Sequence, residues 1–192
     1  MIKTFTKAAL AVACATMTMP VLSLPASAHI DLISPKPLVG GRVDRGRALK
    51  VHPFGAPGVD PAEEPSTEVE SGSVLQLDLN HYVYHPGDIV VLWTTDPEGK
   101  DVMPAMTIPS MDTPVPHNNW LAGMTAPCSE ETGCKVARTD IPFSMWVKLP
   151  EVKGDIYLVV RQVMHDKFDQ MDNGSVGLSR IYYHQTAKLT LK

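Results

Sequence analysis

The chain has 192 residues, of which 17 are lysine or arginine and 21 are aspartate or glutamate, so its formal net charge is −4. An acidic chain without a basic run is not expected to bind nucleic acid or a membrane surface, because both attract clustered positive charge. After the N-terminal segment, no apolar stretch is long enough to span a bilayer, and stable membrane insertion is not expected.

The first 28 residues have the features of a secretory signal peptide. Lys3 and Lys7 provide a positive start, an apolar stretch follows, and Ala26-Ser27-Ala28 is the small-x-small pattern of a cleavage site. The leader holds two of the 17 basic residues and none of the 21 acidic ones, so residues 29–192 carry a formal charge of −6. We therefore predict a secreted or periplasmic protein in which residues 29–192 form a single domain.

The three cysteines divide between the leader and the mature chain. Cys14 lies in the leader, which leaves Cys128 and Cys134 to form a disulfide in an oxidising compartment. A lipoprotein anchor on Cys14 is the alternative to soluble export. The residues just before Cys14 lack the leucine that usually precedes a lipidated cysteine.

Cleavage after residue 28 makes His29 the mature N-terminus. A terminal histidine can chelate one metal ion through its α-amine and its imidazole Nδ1, which an internal histidine cannot do. Nitrogen ligands in a planar array favour Cu(II), whereas Zn²⁺ prefers a tetrahedral set. The sequence thus predicts one copper ion at His29, although a histidine can also follow a cleavage site by chance.

The mature chain has strand periodicity and little helical pattern. Leu75, Leu77 and Leu79 alternate with polar neighbours, as in a half-buried strand. Further strands are predicted at 89–93, 145–149, 156–160 and 181–191. Two long stretches, 35–72 and 97–139, are predicted to be irregular loops that shape a binding face or cover an edge. The fold class is all-β, an antiparallel immunoglobulin/fibronectin-like β-sandwich with long loops.

His85 is the preferred second metal ligand. It follows a predicted strand and precedes Pro86-Gly87, so a turn would hold it at the rim of the sandwich. A turn histidine bonded to backbone is the alternative reading. His81 has the same strand parity and could face the core or act as the ligand instead.

Several short motifs together resemble lytic polysaccharide monooxygenases and their bacterial monooxygenase-like relatives. These motifs are Ala28-His29, Ser34-Pro35-Lys36-Pro37, His85-Pro86-Gly87 and the segment Tyr182-Tyr183-His184-Gln185-Thr186-Ala187. The resemblance implies a β-sandwich in which His29 and His85 form a histidine brace around one copper ion. It also implies that Tyr183 occupies the axial position, with a polysaccharide substrate and an external electron donor as partners.

Strand parity places two further residues inside the sandwich. Tyr183 shares the parity of the apolar face of its strand, so its ring should point inward and that of Tyr182 outward. Gln162 continues the inward parity of residues 156, 158 and 160, and a buried amide needs a partner. The partner of the Gln162 amide is either a group beside the metal ion or an ordinary backbone group. His165 and His184 are weaker candidates for a place beside the metal ion.

The loops contain additional candidates. Met103, Met106 and Met111 could pass on Cu(I) through their thioethers, or they could simply pack a loop against the core. Trp120 could stack on a sugar ring or fill a gap beneath a loop. Three functions remain in competition: a secreted copper-dependent polysaccharide monooxygenase, a periplasmic copper-binding protein for delivery or storage, and a metal-free protein.

Overall fold

The computed structural model describes residues 30–39, 50–51, 53–103, 119–128, 133–170 and 181–192, except for the side chains of residues 137–138 and 168–170. These residues form two β-sheets packed face to face. The eight strands are β1 (Ile30–Ser34), β2 (Thr67–Val69), β3 (Val74–Tyr84), β4 (Gly87–Thr94), β5 (Trp120–Thr125), β6 (Ala137–Lys148), β7 (Gly154–Met164) and β8 (Tyr182–Leu191). The predicted all-β sandwich is confirmed.

The strands divide into a three-stranded sheet and a five-stranded sheet. The first has the order β1-β3-β6 and the second the order β2-β8-β7-β4-β5. Neighbouring strands are antiparallel except for β2 and β8, which are parallel. The predicted antiparallel sandwich thus has one parallel pairing at its edge, where the three-residue strand β2 pairs with the C-terminal strand.

Alternating apolar side chains of both sheets fill the space between them. Leu77 and Leu79 of β3 face Leu158 and Val160 of β7, all at most 1 % exposed, as their sequence parity predicts. Burial of this continuous apolar layer is the main stabilising contribution to the sandwich.

The two stretches predicted to be irregular contain regular structure. The first includes β2, and the second includes β5 and the beginning of β6. Strand β5 has the sequence Trp-Leu-Ala-Gly-Met-Thr, in which small residues interrupt the apolar alternation. Its pairing with β4, which the sequence alone does not reveal, is what makes it a strand.

The outer face of the five-stranded sheet is also covered. Phe54 and Val102 pack there against Leu92, Tyr157 and Val159 in a second apolar cluster. Tyr182 points to this face, as its parity predicts, yet it is only 4 % exposed. The prediction that it points outward is correct in direction, but its ring is buried there beside Arg161 and His184.

Cys128, after β5, and Cys134, before β6, form the predicted disulfide, with 5.1 Å between their Cα atoms. Within the described ranges, no helix has the length and apolar character needed to cross a bilayer.

Candidate functional site

His85 lies in the tight turn between β3 and β4, at the rim of the sandwich. The N–H of His165 donates to the carbonyl of Pro86 at 2.8 Å, which ties the turn to the end of β7. Gly87 permits this approach, because a Cβ at that position would lie 1.9 Å from the carbonyl oxygen of Val163. The turn therefore fixes the backbone of His85, whose side chain is buried.

Asp166 fixes the imidazole of His85. Its two carboxylate oxygens lie 3.0 and 2.9 Å from Nδ1 of His85, and Nζ of Lys167 lies 3.2 Å from one of them. A carboxylate can only accept, so Nδ1 carries the proton and the lone pair is on Nε2. This is the arrangement in which a carboxylate orients a metal-binding histidine. Sequence reasoning missed Asp166, although it directly follows the candidate His165.

His85 is held in its neutral form. Burial lowers the pKa of His85 below its ordinary value, and the nearby positive charges of Lys167 and Lys50 act in the same direction. The hydrogen bond and the charge of Asp166 oppose this shift without cancelling it. A neutral imidazole is the form that can bind a metal ion.

Tyr183 lies on the inner face of β8, as predicted, and is only 3 % exposed. Burial raises the pKa of its phenol well above the usual range, so the ring stays neutral. Nζ of Lys50 lies 4.5 Å from the centroid of the ring, within the range of a cation–π contact. Lys50, which the sequence did not single out, thus places a positive charge near both Tyr183 and His85.

Gln162 is paired with Tyr183 across β7 and β8, and its side chain is fully buried. Its Nε2 lies 2.8 Å from Nε2 of His81, and Nδ1 of His81 lies 3.3 Å from the carbonyl of Pro127. One consistent assignment satisfies both contacts: Gln162 donates to Nε2, and Nδ1–H donates to Pro127. Both ring nitrogens of His81 are then used inside the core, which favours His85 over His81 as the metal ligand.

The buried polar residues extend beyond Gln162. Gln185, diagonal to Gln162 on the inner face, donates its amide to Asp31 of β1 at 3.3 Å. The Oε1 atoms of Gln162 and Gln185 are both buried without a hydrogen-bond partner among the described residues. Sequence reasoning did not select Gln185, although it has the same strand parity as Tyr183.

The structure separates the two weaker histidine candidates from Tyr183. His184 lies on the opposite face of β8, where Nε of Arg161 donates to its Nδ1 at 3.1 Å. His165 lies at the surface, with its Nε2 3.2 Å from a carboxylate oxygen of Asp88.

The remaining candidates are only partly within the described ranges. Met103 and Trp120 are 41 % and 42 % exposed. Trp120 lies on β5, where its ring covers Gly123. Met106, Met111 and His29 lie outside the described residues.

The beginning of the described chain lies close to the His85 turn. Ile30 pairs with His81 of β3, so β1 starts at the end of the sandwich where β3 ends. Among the described residues, no group of three or more histidine, cysteine or acidic side chains is placed to hold a metal ion.

No protein-family model matches the sequence, and no curated protein is significantly similar to it in sequence. Solved structures with a similar shape include the cellulose-active lytic polysaccharide monooxygenase CelS2 in complex with copper (16 % identity, TM-score 0.39, covering 67 % of this chain and 54 % of that one). An AA10 lytic polysaccharide monooxygenase from Streptomyces lividans has 11 % identity and a TM-score of 0.46, covering 86 % of this chain and 83 % of that one.

A third structure is a lytic polysaccharide monooxygenase important for chitin utilization in Cellvibrio japonicus (12 % identity, TM-score 0.40, covering 70 % of this chain and 61 % of that one). The chain spans about half the length of the first of these proteins. Identities of 11–16 % and TM-scores of 0.39–0.46 establish neither the family nor the activity of this chain.

Proposed function

We propose that this protein is a secreted copper protein of the lytic polysaccharide monooxygenase type, with His29 and His85 as its copper ligands. The observation that carries the proposal is the bond between Asp166 and Nδ1 of His85, with both carboxylate oxygens within 3.0 Å. This bond places the proton on Nδ1 and the lone pair on Nε2, as in histidines that a carboxylate orients toward a metal ion.

The donor set fits copper. After cleavage, His29 would add its α-amine and imidazole to Nε2 of His85, giving three nitrogen ligands of the kind that copper prefers. His29 directly precedes Ile30, whose strand starts at the end of the sandwich that holds His85. A bound copper ion would supply redox chemistry between Cu(II) and Cu(I), with an external electron donor as the reductant and peroxide or dioxygen as the oxidant for cleavage of a polysaccharide.

The residues around His85 have distinct roles in this proposal. Asp166 holds the proton on Nδ1 and thereby the orientation of the ring. Tyr183 would be the tyrosine beside the metal ion, and it is buried directly across the strand pair from Gln162. Gln162, anchored on His81, would present its amide oxygen beside Tyr183.

Copper delivery or storage without turnover is the second candidate. Met103 favours it, because an exposed thioether is a ligand for Cu(I). The two functions share the site of His29 and His85, and they differ in whether bound copper turns over on a polymer.

Electron paramagnetic resonance of protein loaded with one Cu(II) tests the proposed site. Protein that begins at His29 is compared with a variant that keeps one extra residue before it, and with His85→Ala. We expect both changes to alter the spectrum and to weaken binding by orders of magnitude, because each removes part of the chelate. Identical spectra and affinities in the three proteins would exclude the brace.

Turnover is measured separately. Protein with an intact site is incubated with a reductant, peroxide and cellulose or chitin, and oxidised oligosaccharides are sought by mass spectrometry. Oxidised products that disappear in His85→Ala support the monooxygenase. Copper binding without products from any polymer, together with a lower affinity for Cu(I) in Met103→Ala, supports delivery or storage.

A further inference from the structure

The outer face of the three-stranded sheet carries a row of polar side chains, half-buried on β3 and exposed on β6, together with an exposed tryptophan. We call it the Trp146 face. Inward residues of β3 and β6, such as Leu77 and Met145, alternate with the outward residues that form it. Its members among the described side chains are Val74, Gln76, Asp78 and Asn80 of β3, and Asp140, Pro142, Ser144, Trp146 and Lys148 of β6.

Trp146 is the most exposed large hydrophobic side chain among the described residues. It is 65 % exposed and lies opposite Gln76 in the strand register. A tryptophan ring contributes most to stability or binding when its surface is buried. The exposed ring of Trp146, on a regular strand, can therefore bury its surface against a ligand.

The polar residues beside Trp146 are already ordered by one another. Nε2 of Gln76 donates to Asp78 at 2.7 Å, and Oγ of Ser144 donates to the same oxygen at 2.8 Å. Farther along, Nδ2 of Asn80 donates to Asp140 at 2.7 Å. The side chains therefore lose little conformational freedom when a ligand binds. From Asp140 to Trp146 the row is about 20 Å long at the rise of a β-strand.

The Trp146 face is acidic. Hydrogen bonds from Gln76 and Ser144 lower the pKa of Asp78, so its carboxylate remains charged. Asp140 adds a second carboxylate. Among the described side chains of the face, Lys148 is the one cation, and it lies 3.8 Å from Glu151, which offsets its charge.

We propose that the Trp146 face binds a linear polysaccharide that carries amino groups. The flat indole of Trp146 suits stacking on a sugar ring, and the polar row offers donors and acceptors to hydroxyl groups. The carboxylates of Asp78 and Asp140 complement ammonium groups along the chain, as charge-assisted hydrogen bonds require. This binding involves none of the proposed copper ligands and does not rest on the proposed function.

Sedimentation with insoluble, partly deacetylated chitin tests the proposal, with protein made copper-free by a chelator and cellulose as the neutral comparison. We expect Trp146→Ala to weaken binding about tenfold, the effect of losing one aromatic contact. Trp120→Ala is the matched control, since Trp120 is also exposed but lies on the other sheet. It should bind like the wild type.

The charge component has its own measurement. Asp78→Asn and Asp140→Asn should each weaken binding to the deacetylated polymer, and added salt should weaken wild-type binding while leaving these variants less affected. Circular dichroism of each variant confirms that the sandwich is intact.

Three results would overturn the proposal. They are no binding of wild-type protein to the deacetylated polymer, equal binding by Trp146→Ala, and equal loss in Trp120→Ala. Concentration-dependent self-association that Trp146→Ala abolishes, without any polymer binding, would instead identify a second copy of the chain as the occupant. Because the protein is copper-free throughout, none of these results bears on the copper site.

Discussion

Asp166 fixes the orientation of the His85 ring through its contact with Nδ1, and one substitution tests this role. Asp166→Asn keeps the shape of the side chain but removes the charged acceptor at 2.9 Å from Nδ1. We expect copper affinity to fall about 10–100-fold, the usual cost of losing the carboxylate behind a ligating histidine. The measurement is a competition titration with a Cu(II) chelator on protein that begins at His29.

Asp88→Asn is the control for this prediction. It removes the carboxylate that pairs with His165 at the surface, 3.2 Å away, and should leave copper affinity unchanged. If the two variants lose affinity equally, the carboxylate of Asp166 has no special role in orienting His85.

His81 gives the stability of the protein a defined pH dependence. Burial lowers the pKa of His81 from 6.5 to about 4 in the folded state, so between these values the unfolded chain binds the proton and the folded one does not. The contribution is therefore complete above pH 6.5 and is lost as the pH falls to about 4. It amounts to roughly 3 kcal/mol.

Urea unfolding at a series of pH values between about 4 and 7 measures this effect. The free energy of unfolding should fall toward acid in the wild type and fall less steeply in His81→Asn, which has no titrating ring. Parallel curves for wild type and His81→Asn would contradict a neutral His81 in the core.

At the scale of the elements, the turn between β3 and β4 depends on Gly87. A Cβ there would lie 1.9 Å from the carbonyl oxygen of Val163, so Gly87→Ala must push β4 away from β7. Gly58 also has a positive φ, +75°, but nothing lies within 4 Å of its Cβ position. Gly58→Ala should therefore cost only the conformational penalty, about 1–2 kcal/mol.

We expect Gly87→Ala to cost on the order of 2 kcal/mol more than Gly58→Ala, because forced repacking adds to the backbone penalty. Chemical denaturation of both variants measures the difference. The Gly87 variant should also bind copper more weakly, since the same turn holds His85. Equal costs for the two variants would show that β4 and β7 separate easily at this point.

The elements also show where sequence reasoning succeeds and where it fails. Period-two alternation predicts β3, β7 and β8, and it correctly places Gln162 and Tyr183 on one inner face. It fails for β5, which is recognised only by its pairing with β4, and for the burial of Tyr182, which lies beside Arg161 and His184 on the outer face. Alternation reports which face a side chain occupies but not what lies against that face.

The candidate site shows the same division. The predicted leader and the turn signal of Pro86-Gly87 select His29 and His85 from the sequence as candidate ligands. Asp166 was not predicted, because its contact with His85 joins residues 81 positions apart. Contacts of this kind follow from the register of β4 with β7, which pairs Gly87 with Met164 and has no local sequence signal.

At the scale of the whole molecule, the proposed site needs both sheets. The start of β1 and the end of β3 belong to the three-stranded sheet. Tyr183 lies at the start of β8 in the five-stranded sheet, and Asp166 directly follows β7 of that same sheet. A copper ion shared by His29 and His85 would bind the folded sandwich more tightly than the unfolded chain. Copper binding should therefore stabilise the whole fold.

At free copper one hundred times above its Kd, the expected gain is about 2.7 kcal/mol. For a domain of this size, that gain raises the Tm by roughly 5–10 °C. Differential scanning calorimetry of protein that begins at His29, with and without Cu(II), measures the shift. His85→Ala and the variant with one extra residue before His29 should show little or none of it, because neither retains the full set of nitrogens. A similar shift in all three proteins would mean that copper stabilises the fold from elsewhere on the chain, and His29 and His85 would then not be its ligands.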